Sequence, residues 1–260
     1  MRGILRMIPS SYGVATPLTD AWIVATSESD TTIISALRTF EDGLISNSFI
    51  NRLVAVYPFV GGNASKHSYN FMNTANFQLT FFGGITHNAN GFNPNGSTGY
   101  AKTGVIPSVN MNGSTNSFGF YSRTSISQDS VDVGTSTAWP SGSLIFTKWS
   151  NGVTYYGNND VYADNGYVLT DTLGLISLTR NSSTVKKIFR RGTLVNTTTQ
   201  SQTSLSSVEF HVGGVNAANP YLSTRNLSFV YFANESFTDA EMLIFSDLIH
   251  ALQTTLSRQV

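Results

Sequence analysis

Apolar and polar positions alternate most clearly between residues 175 and 241. From Val185 to Val195 the alternation turns around Arg191-Gly192, which predicts a hairpin with one wet face and with Val185, Ile188, Leu194 and Val195 toward the buried side. Gly192 supplies the positive φ that a tight turn requires. Phe210 and Val212 alternate before Gly213-Gly214, a pair that ends a strand. Residues 227–232, Leu-Ser-Phe-Val-Tyr-Phe, are apolar enough to lie between two layers. Spacing then changes to helical. Thr238 and Glu241 form a capping box, and Met242, Leu243, Phe245, Leu248, Ile249 and Leu252 give the C-terminal helix one broad apolar face.

Nearer the start, residues 30–56 read as helical. Asp30 is the N-cap, Ile33, Ile34, Leu37, Phe40 and Leu44 recur at three and four, and a break at residues 46–48 precedes a second piece with Phe49, Ile50, Leu53 and Val54 that Pro58 stops. Residues 1–20 form a Pro-, Ser- and Thr-containing arm with few periodic apolar positions. Such an arm is expected to lie against a neighbouring subunit or its own core. The expected organisation is therefore an arm (1–20), a helical segment (21–58) and a β-sandwich with its C-terminal helix (59–260), without internal repeats.

The chain is long enough, at 260 residues, to bury a large single core. A formal charge of +0 with 12% charged residues offers no basic footprint for nucleic acid or for an anionic membrane. Cys 0 removes disulfides, thiolate nucleophiles and cysteine metal clusters. Residues 1–10 hold two arginines and no long apolar run, so a signal peptide is not expected, and no stretch approaches transmembrane length. The polar bulk is Asn, Ser, Thr and Gly, which suits turns and exposed β faces. Asn-X-Ser/Thr matches at Asn63, Asn95, Asn112, Asn181, Asn196, Asn226 and Asn234 are read as products of that composition.

The acidic residues are scattered, and no closely spaced pair offers the nucleophile and acid of a glycoside hydrolase. Serine lacks a Gly-x-Ser-x-Gly elbow, and His67, His87, His211 and His250 read as satisfied or exposed histidines. Catalysis is not expected. Gly157-Asn158-Asn159-Asp160 and Asp164-Asn165-Gly166 read as loop turns whose oxygens also suit Ca²⁺, making Asp160 and Asp164 calcium candidates. A sharper possibility is sugar recognition, in which aromatic faces meet the C–H face of a pyranose while amides and carboxylates bond its hydroxyls. Trp149, Tyr155, Tyr156, Tyr162 and Tyr167 interleave with Asn151, Asn158, Asn159, Asp160 and Asn165. Tyr155 and Tyr156 are adjacent, so on a strand one must face outward.

The order of ribbon, Gly-rich strand end, final strand and Phe237-Thr238-Asp239-Ala240-Glu241 helix start resembles laminin-G-like, concanavalin A-like jelly rolls. Tyr57-Pro58-Phe59-Val60-Gly61-Gly62, Phe82-Gly83-Gly84-Ile85-Thr86-His87, Asn95-Gly96-Ser97-Thr98-Gly99-Tyr100 and Tyr121-Ser122-Arg123-Thr124 are similar to a group of uncharacterised virion and tail proteins of tailed bacteriophages. Residues 70–77 depart from that group, being short and uncharged where its members often carry a charged segment. The resemblance implies a mainly β, jelly-roll sandwich with an N-terminal helical segment and a C-terminal helix at its edge or between subunits. It also implies a structural component of a phage virion, oligomeric and in contact with other virion proteins, assembled in the host cytoplasm. The alternative is a lectin-like module for cell-surface glycans, with Trp149, Tyr155, Tyr156, Asn158, Asn159, Asp160 and Asn165 as its binding candidates.

Overall fold

The computed structural model describes residues 16–138 and 140–260, apart from the side chains of residues 138 and 163–166. In chain order, α1 (Leu18–Thr26) and α2 (Thr31–Ser46) lead into β1 (Leu53–Tyr57), then α3 (Ala64–Ser68), β2 (Thr80–Phe82), β3 (Ile85–Asn88), β4 (Gly91–Pro94), β5 (Tyr100–Lys102), α4 (Pro107–Asn110) and β6 (Asn116–Ser122). There follow β7 (Val133–Ala138), β8 (Ser141–Phe146), β9 (Thr154–Val161), β10 (Ala163–Tyr167), β11 (Gly174–Arg180), β12 (Val185–Arg190) and β13 (Thr193–Thr199). The chain ends with β14 (His211–Val212), β15 (Val215–Asn216), β16 (Leu227–Ala233) and α5 (Asp239–Thr255).

Two largely antiparallel sheets stack face to face. One runs β13-β12-β11-β6-β16-β4-β3, with β1 also on β16; the other runs β10-β9-β8-β7-β14-β5-β2, with β15 parallel to β7. Phe118, Phe120, Ile176, Leu178, Val230 and Phe232 of the first sheet meet Val133, Ile145, Tyr156 and Val212 of the second. On the far side of the first sheet, alternate residues such as Tyr121, Leu175, Phe229 and Tyr231 pack beneath Trp22, Phe40, Leu44, Phe245 and Ile249 of the helices. The first sheet is thus the middle of three layers, which is why every residue of β16 is buried. Gly119 sits at a close approach of β6 to β11: a Cβ there would meet the Ile176 carbonyl oxygen at 2.4 Å.

The locally coded elements form where expected. Arg191 (φ 49) and Gly192 (φ 76) both occupy the left-handed region, the pairing that a two-residue hairpin turn requires. Thr238 accepts from the Glu241 amide while the Glu241 carboxylate accepts from the Thr238 amide, completing the capping box. Asp30 caps α2 through the amides of Thr32 and Ile33.

Several expectations are corrected. Residues 53–57 are a strand, not helix, because Leu53, Ala55, Val56 and Tyr57 pair with β16; Ser48 at φ 59 ends the helical path before them. The expected arm lies partly in α1, whose first two amides donate to the Glu41 carboxylate; residues 1–15 lie outside the described residues. On the ribbon, Ile188 is buried but Leu194 is exposed, while Phe189 is buried on the helix side, since this hairpin has one face on each layer. Leu243 falls outside the buried face of α5 and is 47% exposed. The C-terminal helix covers the back of the middle sheet together with α2 rather than sitting at the sandwich edge.

Candidate functional site

Leu144 and Phe146 of β8 point to the outer face of the second sheet, opposite Ile145, and form a small apolar cluster with Val131 and Val215. Phe146 is the floor of a cup. Trp149 stands 4.9 Å from it at 80°, Tyr221 5.5 Å at 81° and Tyr162 5.3 Å at 53°, measured between ring centroids. Tyr155 closes the wall, 6.2 Å from Trp149. The cup encloses about 240 Å³ and opens to solvent.

Each wall is placed by local chemistry. Between β8 and β9 the chain turns at Trp149-Ser150-Asn151-Gly152, where the Gly152 amide donates to the Trp149 carbonyl (2.9 Å) and Gly152 takes φ +84. Asn151 fixes this tip, its Oδ1 accepting from the Val153 amide and its Nδ2 donating to the Tyr155 hydroxyl, both at 2.9 Å. Tyr221 arrives from the loop between β15 and β16 at φ 40, a conformation that costs a non-glycine residue strain. Its carbonyl accepts from the Val131 amide at 2.8 Å.

Beside the cup, and sharing Tyr221 with it, lies an open polar shelf of about 490 Å³. Ser97, Asp129, Ser150 and Asn219 line it and are exposed. Asp129 Oδ1 accepts from the Ser150 amide at 2.8 Å, which joins the shelf to the Trp149 turn.

The three segments that build this region converge on one buried ion pair. Arg225 Nη1 donates to Asp132 Oδ2 at 3.0 Å and to Ser130 Oγ at 3.1 Å; both side chains of the pair are fully buried. Arg225 Nη2 donates to the carbonyls of Ile126 (2.9 Å) and Lys148 (3.2 Å), while Thr147 Oγ1 and Ser223 Oγ donate to Asp132 at 2.5 and 2.6 Å. The strand leading to Trp149, the loop with Asp129 and the loop with Tyr221 therefore share one electrostatic anchor.

The structure divides the residues expected at a glycan site. Trp149, Tyr155 and Tyr162 lie in the cup, with Asn151 beside them. Tyr156 points the other way, fully buried in the sandwich, its hydroxyl 2.7 Å from Thr198 Oγ1 and its pKa pushed up by burial. Asn158, Asn159 and Asp160 are corrected from loop to strand, since they lie in β9 and are buried. Arg180 Nε donates to the Asn158 carbonyl at 2.5 Å, and Asn159 Oδ1 accepts from Ser143 Oγ at 2.8 Å. The Asp160 carboxylate is held by Arg180 and by Lys186 Nζ (2.9 Å), all three side chains fully buried. Burial raises the Asp160 pKa and lowers that of Lys186, against the attraction of each for the other. Two cations occupy the oxygens a calcium ion would need, so Asp160 is a core charge rather than a metal ligand. The side chains of Asp164 and Asn165 lie outside the described residues. Among the described residues, no group of three His, Asp or Glu side chains gathers as a metal site.

A second cleft, of about 440 Å³, lies between the start of α2 and the end of α5. Its polar groups are spent on the fold: Asp30 caps α2, Glu28 receives Lys66 Nζ at 3.0 Å, and the Arg258 guanidinium donates to the carbonyls of Pro58, Phe59 and Ser228. No described helix is long and apolar enough to cross a membrane.

No protein-family model and no curated protein sequence matches the chain. Solved structures do. Domain 4 of AbnA, a GH43 extracellular arabinanase from Geobacillus stearothermophilus in complex with arabinotriose, aligns at a TM-score of 0.57 and 12% identity, over 75% of this chain and 98% of that one. Botulinum neurotoxin type C, from a study of its interaction with two ganglioside molecules, aligns at 0.56 and 13%, over 78% of this chain and 53% of that one. Trypanosoma rangeli sialidase in complex with sialic acid aligns at 0.55 and 12%, over 82% of this chain and 38% of that one. The chain spans about half or less of the toxin and sialidase chains. At these identities the likeness establishes the fold, a jelly-roll-like β-sandwich. These neighbours are carbohydrate- and receptor-binding sandwiches, and they lend no support to the phage resemblance, to virion partners or to oligomerisation.

Proposed function

We propose that this chain is a carbohydrate-binding β-sandwich whose site is the cup of Phe146, Trp149, Tyr155, Tyr162 and Tyr221 with its adjoining polar shelf. The observation that carries this reading is the juxtaposition of five aromatic side chains around an open hollow with exposed hydroxyl, amide and carboxylate groups one side chain away. A sugar ring presents the complementary surface, apolar on its C–H face and rich in hydroxyls at its rim. Aromatic rings supply contact area at little entropic cost, and the shelf supplies directional bonds. Complexes of neighbours sharing the fold with arabinotriose and with sialic acid support the class of ligand without placing its site in this chain.

The test is a glycan array followed by calorimetry with the whole chain and its Trp149→Ala variant. Removing a central aromatic anchor is expected to weaken binding at least about tenfold, or about 1.4 kcal/mol. The variant should melt with the parent, because Trp149 belongs to the rim of the outer cluster rather than to either main core. A parent chain that binds no glycan at millimolar concentration overturns the proposal.

A further inference from the structure

The cup and the shelf differ in a way that selects among saccharides. The cup is walled by rings alone, whereas the shelf carries the carboxylate of Asp129 and no Lys, Arg or His among its lining residues. Cations at neighbouring positions are committed elsewhere: Lys148 Nζ donates to the Thr170 carbonyl at 3.3 Å, and Arg225 is buried on Asp132. A sialylated, uronate-containing or sulfated unit on the shelf would meet a like charge with no counter-ion, and such juxtaposition is a standard source of discrimination. The two hollows are contiguous through Tyr221, and the shelf is the larger and more open. One ring fills the cup, and a second needs the shelf.

Resting on the reading of this region as a glycan site, we infer that it takes neutral oligosaccharides of at least two units, one ring stacked in the cup and the next bonded along Asp129, Ser150 and Asn219, and that Asp129 excludes acidic glycans. Asp129 then acts twice. Its Oδ1 holds the Ser150 amide, and the rest of the carboxylate sets the charge of the acceptor surface.

Calorimetry would compare neutral hexose and pentose mono-, di- and trisaccharides with sialylated and uronate-containing oligosaccharides of equal length, at low and at physiological ionic strength. The expected result is disaccharides bound about tenfold more tightly than monosaccharides, and neutral chains about tenfold more tightly than acidic ones, the second ratio shrinking as salt screens the repulsion. Asp129→Asn keeps an oxygen for the Ser150 amide while removing the charge, so it should bring acidic chains to within about threefold of neutral ones, whatever it does to the affinity for neutral chains. Equal or tighter binding of acidic glycans by the parent chain, or an Asp129→Asn variant with the parental ratio, overturns the inference while leaving the glycan site standing. Absence of binding to every saccharide overturns both.

Discussion

Replacing Arg225 with Met tests whether the buried pair beneath the cup organises the site. The side chains of Arg225 and Asp132 are both fully buried, and the guanidinium spans Asp132, Ser130 and the carbonyls of Ile126 and Lys148. Arg225→Met leaves the Asp132 carboxylate with the Ser223 and Thr147 hydroxyls and takes the guanidinium from the Ile126 carbonyl, while the Lys148 carbonyl keeps the Gln128 amide at 2.9 Å. Breaking a buried pair from one side costs about 3–5 kcal/mol. At about 2–4 °C per kcal/mol for a chain of this size, the melting temperature should fall by about 6–20 °C. Arg38→Ala is the control: its partner Asp20 is 2.7 Å away, but both side chains are well exposed (51% and 39%), so about 0–1 kcal/mol is at stake. The double variant Asp132→Leu/Arg225→Met strands no charge and should recover part of the loss. Calorimetric melting of the four proteins decides the matter. If Arg225→Met melts within about 2 °C of Arg38→Ala, or if the double variant is the least stable of the set, the pair is not the anchor described.

Three further outcomes are expected. Burial and nearby positive charge hold His67 down to about 3 and His211 down to about 4, against 6.5 for a free histidine, so between those values the unfolded chain binds more protons and stability falls with acid. From pH 7.5 to 5 the two histidines together remove about 4 kcal/mol, which denaturant midpoints at the two pH values would reveal and His67→Gln would roughly halve; unchanged midpoints refute it. Thr238→Ala opens the capping box of α5 and should cost about 1 kcal/mol, or about 2–4 °C of melting temperature. Gly119→Val places a Cβ 2.4 Å from the Ile176 carbonyl oxygen and 2.8 Å from the Tyr231 ring, so soluble folded protein is not expected from it, and a native circular-dichroism spectrum would contradict that.

What the amino-acid order conveyed was whatever neighbouring residues decide among themselves. The Arg191-Gly192 turn, the Thr238 box and the Asp30 cap depend on side chains within three positions of one another, and all three are present. Residues 53–57 were misjudged because Phe49, Ile50, Leu53 and Val54 fit helical spacing, and pairing with a strand some 180 positions away decides otherwise. Asn158-Asn159-Asp160 carries turn chemistry, yet its carboxylate finds counter-ions on β11 and β12, which makes a buried strand possible. Three of the cup's five rings were visible in the same manner, since Trp149, Tyr155 and Tyr162 lie near one another along the chain. Tyr221 and Asp129 were not, because loops far apart in the chain bring them together and no short motif marks either. The nearest local hint is Asn219-Pro220 ahead of Tyr221, a turn signal without any sign of its destination.

The Arg225–Asp132 anchor separates two kinds of change. The five rings of the cup and the exposed groups of the shelf contribute little to either main core, whereas the anchor ties together the segments that lead to Trp149, Asp129 and Tyr221. If the cup is the glycan site proposed above, exchanging Trp149, Tyr155, Tyr221 or Asn219 for other side chains should alter what is recognised while the loops keep their positions. A library randomised at those four sites, on an otherwise constant scaffold, would sample new sugar preferences at little risk of unfolding.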